Sequence, residues 1–378
     1  MVNSEYLNNL NERQKEATLY IEGPLLIVAG AGSGKTKVLT SRIAHLIKQH
    51  KAFPNQILAV TFTNKAAKEM QIRVSKLLRK EATGLQWLGT FHSISAKLLR
   101  KHADAVGLKS NFSIIDQSDQ ERLIKNICKA ENLDTKKISP KYILAIIDKW
   151  KNKGFYPDDV ILKKNNTLEK NFLEIYKIYQ KKLIDLNAAD FSDLILHTVK
   201  IFKNYKDISE LYSKKFKYIL VDEYQDTNFI QSEWLKYLSE YNKNICCVGD
   251  DDQSIYSWRG AEIKNFLEFD KVYENTKIIR LEKNYRSTQN ILDAAWSVVS
   301  RNKNRADKKL WTKNSEGDSI NILKSYNERD EAIKIISDIS KIKNDNDISY
   351  NKFLRTIKSI SLLLVIPVVV IMLGVVHI

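Results

Sequence analysis

Cysteine is scarce: Cys128, Cys246 and Cys247 are the three in the chain. Adjacent cysteines rarely bridge one another and three cannot build a disulfide framework, so a stapled secreted domain is excluded and a reducing cytoplasm is expected. No Cys/His group has zinc-ligand spacing. Residues 1–10 hold no basic segment followed by an apolar run, so no secretory signal is predicted. Internal repeats and long low-complexity linkers are missing too. Nor does a separate carboxylate-rich metal cluster stand out, which counts against a nuclease.

Against these absences stand 378 residues, 43% of them hydrophobic, enough for two or three domains with a sizeable core. Lys and Arg number 61 against 45 Asp and Glu, a balance of +16. Such an excess suits a polyanionic partner, nucleic acid above all, although a Lys- and Asn-rich composition can also carry positive charge that is merely solvated.

Along the chain, short apolar runs alternate with helical patterns. Leu25–Val28, Ile57–Phe62, Tyr218–Val221, Ile245–Val248 and Ile278–Leu281 read as strands, and Lys37–Gln49 as a helix. Continuous apolar runs bounded by turns and helices predict a parallel sheet covered on both faces, hence an α/β fold. Between about Lys97 and Asp190 strand-like runs give way to Lys-faced helices, such as Tyr142–Lys151 and Leu168–Leu186, so this region is read as a helical insertion. A second α/β unit is expected to begin near Thr276.

The segment Ala29-Gly30-Ala31-Gly32-Ser33-Gly34-Lys35-Thr36 sits directly between a strand and a helix, the context that makes a phosphate-binding loop credible. Small residues let successive backbone N–H groups wrap phosphates, and the helix N-terminus adds a favourable dipole. Lys35 supplies a charge for the β- and γ-phosphates, and the Thr36 hydroxyl can ligate magnesium. Ala29 stands where the strict pattern has glycine, a small departure because the later glycines make the close approach. Farther on, the strand Tyr218–Val221 ends in Asp222 and Glu223. Asp222 is placed to hold magnesium, and Glu223 to orient or deprotonate an attacking water. Two acids after a strand are, alone, more often a helix cap; paired with the loop, they read as catalytic.

At this point the residues resemble a known family. Val221-Asp222-Glu223-Tyr224-Gln225-Asp226-Thr227 is similar to the DExx box of superfamily 1A helicases of the UvrD, Rep and PcrA type, and further motifs agree in order from near residue 7 to about residue 340. The resemblance implies a P-loop (RecA-like) parallel-sheet motor domain (1–96 and 190–275), a helical insertion (97–189) and the incomplete start of a second RecA-like domain (276–350). It implies ATP and Mg2+ as cofactors, single-stranded DNA and single-strand/duplex junctions as partners, and 3′-to-5′ strand separation in replication or repair. In Leu10-Asn11-Glu12-Arg13-Gln14, Gln14 would read adenine, while Asn11 with Gln14 also suits a capping box. Lys37 joins Ala29–Thr36 on the cofactor side. Around Phe62, Thr63, Asn64 and Lys65, and around Thr90, Phe91 and His92, the resemblance implies loops that hold DNA. In Val248–Ala261 it implies that Gln253 senses the γ-phosphate while Tyr256, Trp258 and Arg259 face DNA. In Leu281–Ser287, Tyr285 would stack on adenine and Arg286 would reach the γ-phosphate.

Glu328–Ala332 still resembles the family; by Asn351 the likeness is expected to be gone. Ile360–Val376 is almost wholly apolar, after Lys352, Arg355 and Lys358. This tail (351–378) reads as the product of a truncated or frame-shifted gene, as a membrane anchor of near-minimal length, or as buried strands of an incomplete domain. Rival functions follow. A protein that grips DNA in response to ATP but cannot step would fail to unwind, and a P-loop ATPase unrelated to DNA would ignore single strands.

Overall fold

A computed structural model describes residues 5–78, 84–131, 139–162, 167–303, 305–322, 324–346 and 371–372. The chain divides into two compact units, one of Met1–Val28, Lys35–Gly249 and Tyr256–Ile279, the other of Ala29–Gly34, Asp250–Ile255 and Arg280–Ile378.

In the first unit the apolar runs become β1 (Leu25–Ala29) and β2 (Ile57–Thr61), followed by β3 (Leu88–Thr90). A two-residue parallel pair, β4 (Ser113–Ile114) with β5 (Ala188–Ala189), lies apart from the main sheet. Then come β6 (Tyr218–Val221), β7 (Ile245–Gly249) and β8 (Lys277–Leu281). The six-stranded sheet runs β3-β2-β6-β7-β1-β8. Every residue of β1, β2, β6 and β7 is buried, the signature of a parallel layer covered on both faces.

Two strands depart from the sequence expectation. Leu88–Thr90, expected as part of a loop, pairs with β2; with three residues and a central Gly89 it carries no apolar run to announce it. Conversely, the Ile278–Leu281 run is not covered on both faces. Ile278 and Arg280 are exposed and Ile279 and Leu281 buried, because β8 is the edge strand beside β1.

Between β3 and β6 the chain is mainly helical, with Phe91–Lys101, Gln117–Ala130, Pro140–Asn152, Thr167–Asp185 and Phe191–Asn204. Ser139 accepts from Tyr142 N–H, and Pro140 follows at the first helical position, so the third helix has a defined start. Ile124, Ile127, Ile143, Ile147, Phe172, Tyr176 and Leu183 form a core among Gln117–Ala130, Pro140–Asn152 and Thr167–Asp185. Lys151 is wholly buried beneath this core, its Nζ 2.6 Å from Asp190 Oδ2 and 2.7 Å from Asp193 Oδ1. Tyr179 donates to Asp190 at 3.0 Å and Gln180 to Asp193 at 3.1 Å. Burial opposes charge on Lys151, but the two carboxylates outweigh it and hold its pKa above the ordinary value.

In the second unit β9 (Lys283–Asn284) pairs in parallel with β10 (Trp311–Thr312), near the helix Gln289–Val299. β11 (Asn321–Ile322) pairs antiparallel with β12 (Ile371–Met372). Apart from those last two residues the apolar tail, and with it the expectation of a membrane segment or frame-shift product, lies outside the described residues. Among the described residues no helix is long and apolar enough to cross a membrane.

Lys151→Met leaves two carboxylates buried without their cation and is expected to cost about 3–5 kcal/mol in urea unfolding. Lys214→Met, which breaks an exposed pair with Glu210, is expected to leave the midpoint unchanged.

Candidate active site

Register decides where the motif loops emerge. Val28 lies opposite Gly249, Cys247 opposite Val221, Val221 opposite Val60, and Thr61 opposite Thr90. β1, β7, β6, β2 and β3 therefore end along one edge, the carboxyl edge, where open parallel sheets carry their ligand sites.

In the first unit, Asp222 and Glu223 follow β6, with the Asp222 N–H still in the ladder to Val60 O at 3.0 Å. Glu223 then turns into the left-handed region (φ 52°, ψ 45°), a conformation that costs a non-glycine residue about 1–3 kcal/mol. Its Oε2 meets Lys35 Nζ at 3.1 Å and Gln225 Nε2 at 3.0 Å. Burial works against charge on Glu223, but the Lys35 ammonium and the Gln225 amide outweigh it, so the carboxylate stays below its usual range and ionised. Asp222 behaves oppositely: burial and then the Glu223 charge push it up, with Lys35 opposing.

Gln225 was not singled out in the sequence, although it lies inside the DExx-like segment. Its place is made by Gly249: a Cβ there would lie 2.5 Å from Gln225 Oε1 and 2.7 Å from the Phe266 ring. Thr36 follows Lys35 on the helix Lys35–Lys48. Thr36 and Asp222 offer hard oxygen donors of the kind magnesium takes. Lys37 donates to the Asn9 carbonyl, and the Gln14 side chain closes the expected capping box with Asn11.

In the second unit, residues 29–34 form the loop itself. Gly32 (φ +70°) and Gly34 (φ +89°) adopt backbone that other residues reach only with strain. A Cβ on Gly32 would lie 2.7 Å from Arg286 Cβ and 2.8 Å from Asn284 Nδ2. Gly32 is thus packed closely against the segment 284–286, and the small residues of the loop leave backbone N–H groups of the kind that can take phosphate. Asn284, which carried no assigned role in the sequence, organises the segment opposite. It donates to Ala31 O at 2.7 Å and accepts from the N–H groups of Arg286 and Ser287, each at 2.7 Å. Tyr285 N–H donates to Gly32 O at 3.0 Å, leaving its ring exposed beneath Lys283, and Arg286 is exposed. Gln253 donates to Asp250 from a turn whose three acids, Asp250–Asp252, converge within 4.8 Å. That cluster already holds a cation: Lys308 Nζ lies 2.9 Å from Asp250 Oδ1 and 2.7 Å from Asp252 Oδ2.

The nucleic-acid candidates divide. Phe62 stacks on Tyr256 (centroids 5.2 Å apart, 26° between planes), Trp258 follows at 6.4 Å and is 73% exposed, and Thr63, Asn64 and Lys65 are exposed beside Phe62. Thr63 caps the helix Asn64–Leu78 through Ala66 N–H. Thr90 and Phe91 correct the sequence reading. Thr90 is buried and caps its helix by accepting from Ser93 N–H, and Phe91, 2% exposed, packs edge-on against Trp234. The first helical residue after an edge strand points into the core here, so Phe91 has no face to offer a base. His92 is half-buried against Phe191, and burial lowers its pKa. The Arg259 side chain lies outside what the structure describes.

A family model, the UvrD/REP helicase N-terminal domain, matches residues 10–274, and a second, the UvrD-like helicase C-terminal domain, matches 279–362. The second match continues past Asn351, where the likeness had been expected to be gone. A "Probable DNA helicase II homolog" of Rickettsia conorii is 48% identical over 349 residues, covering 92% of this chain and 53% of that protein. An "ATP-dependent DNA helicase PcrA" of Leuconostoc citreum is 45% identical over 346 residues, 92% of this chain and 46% of that protein. One of the same name from Staphylococcus epidermidis is 48% identical over 335 residues, 89% and 46%. The chain spans about half the length of the curated relatives it matches.

The two phenylalanines should separate in their effects. Phe91→Ala is expected to lose about 3–5 kcal/mol in denaturant unfolding. Phe62→Ala should leave the midpoint near wild type and weaken binding of a fluorescent single-stranded oligonucleotide by about 1–3 kcal/mol.

Proposed function

Because this chain belongs to the UvrD/REP helicase family, we propose that it is a DNA-dependent ATPase that steps 3′ to 5′ along single-stranded DNA and separates strands at single-strand/duplex junctions. The observation that carries this reading is the Lys35–Glu223–Gln225 chain, at 3.1 Å and 3.0 Å, fixed at the carboxyl edge of the sheet. In it Lys35 moves from Glu223 to the β- and γ-phosphates as nucleotide enters. Glu223, kept ionised and aimed by Gln225, then orients the attacking water and takes its proton. Thr36 and Asp222 would hold magnesium, which would neutralise charge on the phosphates. In the second unit, Gly30–Gly34 offer backbone N–H donors of the kind phosphate takes, and Arg286 offers positive charge. Phe62, Tyr256 and Trp258 form the face on which bases stack, a sequence-tolerant contact suited to a motor that must pass every base.

The test is magnesium-dependent ATP hydrolysis with and without single-stranded DNA. Turnover should rise with DNA. Glu223→Gln should lower kcat by about 10²–10⁴-fold, the range for a positioned general base, and Lys35→Ala should abolish turnover. Hydrolysis indifferent to DNA would make this an ATPase of another kind. No turnover, with DNA binding that still responds to ATP and salt, would mean a protein that grips without stepping.

A further inference from the structure

Asp251–Gln253 form a single 3-10 turn capped by Asp250, whose Oδ1 accepts from Asp252 N–H at 3.2 Å. Gln253 is tied to Asp250 twice, by its N–H to the carbonyl at 3.0 Å and by its side-chain amide to Oδ2. The other oxygen of that carboxylate meets Lys308 Nζ at 2.9 Å. Lys308 is 3% exposed and also contacts Asp251 and Asp252. Arg305 forks onto Asp252, Nε to Oδ1 at 3.1 Å and Nη2 to Oδ2 at 2.7 Å, and Ala306 N–H closes onto Asp251 Oδ2 at 2.6 Å.

We propose that Lys308 and Arg305 are positioning residues for Gln253: segment 305–308 clamps the Asp250–Gln253 turn and so fixes the amide plane from which Gln253 reports on the terminal phosphate of a nucleoside triphosphate. The inference rests on the ATPase reading above. Three carboxylates in one turn repel each other and would splay it open. Two cations and several N–H donors reverse that repulsion, and burial makes the arrangement stiff, because any partner that leaves strands a charge in low dielectric. Asp250 is the relay, with one oxygen on Lys308 and the other on Gln253, so rotating the carboxylate rotates the amide. Arg305 suits its place because a planar fork meets both oxygens of Asp252 at once, while the Trp296 ring lies 4.9 Å from its guanidinium carbon and sets the plane. A clamp that served only the fold would not act through Gln253, and that difference decides the test.

The full chain carrying Arg305→Gln is compared with wild type for DNA-stimulated ATP hydrolysis, and both again in a Gln253→Ala background. The clamp predicts that Arg305→Gln lowers kcat by about tenfold or more and leaves KM for ATP within about twofold. It further predicts almost no additional loss when Gln253 is already alanine. An undiminished loss in the Gln253→Ala background, or an unchanged kcat, overturns it. Lys308→Met alone would strand buried acids, so it is combined with Asp251→Asn, and the pair should reproduce the Arg305→Gln profile. Amide exchange across residues 250–255 keeps the two readings apart. If wild type hydrolyses no ATP, the ATPase reading fails, and faster exchange there in both variants still upholds the clamp while unchanged exchange overturns it.

Discussion

The backbone of β1, β2, β6 and β7 has no water on either face, so each strand must give its peptide donors and acceptors to neighbouring strands or leave them unpaired at a cost. That requirement dictates the apolar runs, and it also forbids chemistry within them. Polar side chains are confined to the points where strands stop, and register makes those points coincide along one edge. Asp222 and Glu223 lie beside the residues after Val60 because the ladder places them so, not because they are close in the chain.

Burial of charge is the second constraint. Lys35 with Glu223, Lys151 between Asp190 and Asp193, and Lys308 among Asp250–Asp252 are three answers to one problem, a charge that has left water and must be met. They differ in use. Lys151 is sealed among aromatic rings and ties the helix Pro140–Asn152 to the start of Phe191–Asn204. Lys35 and Glu223 retain some exposure, and a pair that can be parted by an incoming phosphate is one that can work. Lys308 lies between these cases, sealed itself but bonded to a carboxylate that also carries Gln253.

Much of this was legible in residue order. Four buried strands, the helices Pro140–Asn152 and Thr167–Asp185, the glycine loop and the paired acids each announce themselves within a few residues, through apolar period, capping residues or the demand for small side chains near phosphate. The failures share a cause. Leu88–Thr90 becomes a strand only because β2 offers it a partner. Ile278–Leu281 looks like an inner strand until its position at the edge leaves alternate residues in water. Thr90 and Phe91 look like a binding loop, yet a cap and a core contact with Trp234 claim them.

Sequence alone determined the α/β class, the glycine-rich loop between β1 and its helix, and the two acids that follow β6, because each of these depends on short-range period and spacing. Only the tertiary structure decided which of those side chains face solvent, that Gln225 aims Glu223, that Asn284 holds the loop at Ala31, and that Lys308 sits among acids more than fifty residues away. Those choices depend on packing and on burial of charge, and burial is a property of what surrounds a residue rather than of its neighbours in the chain.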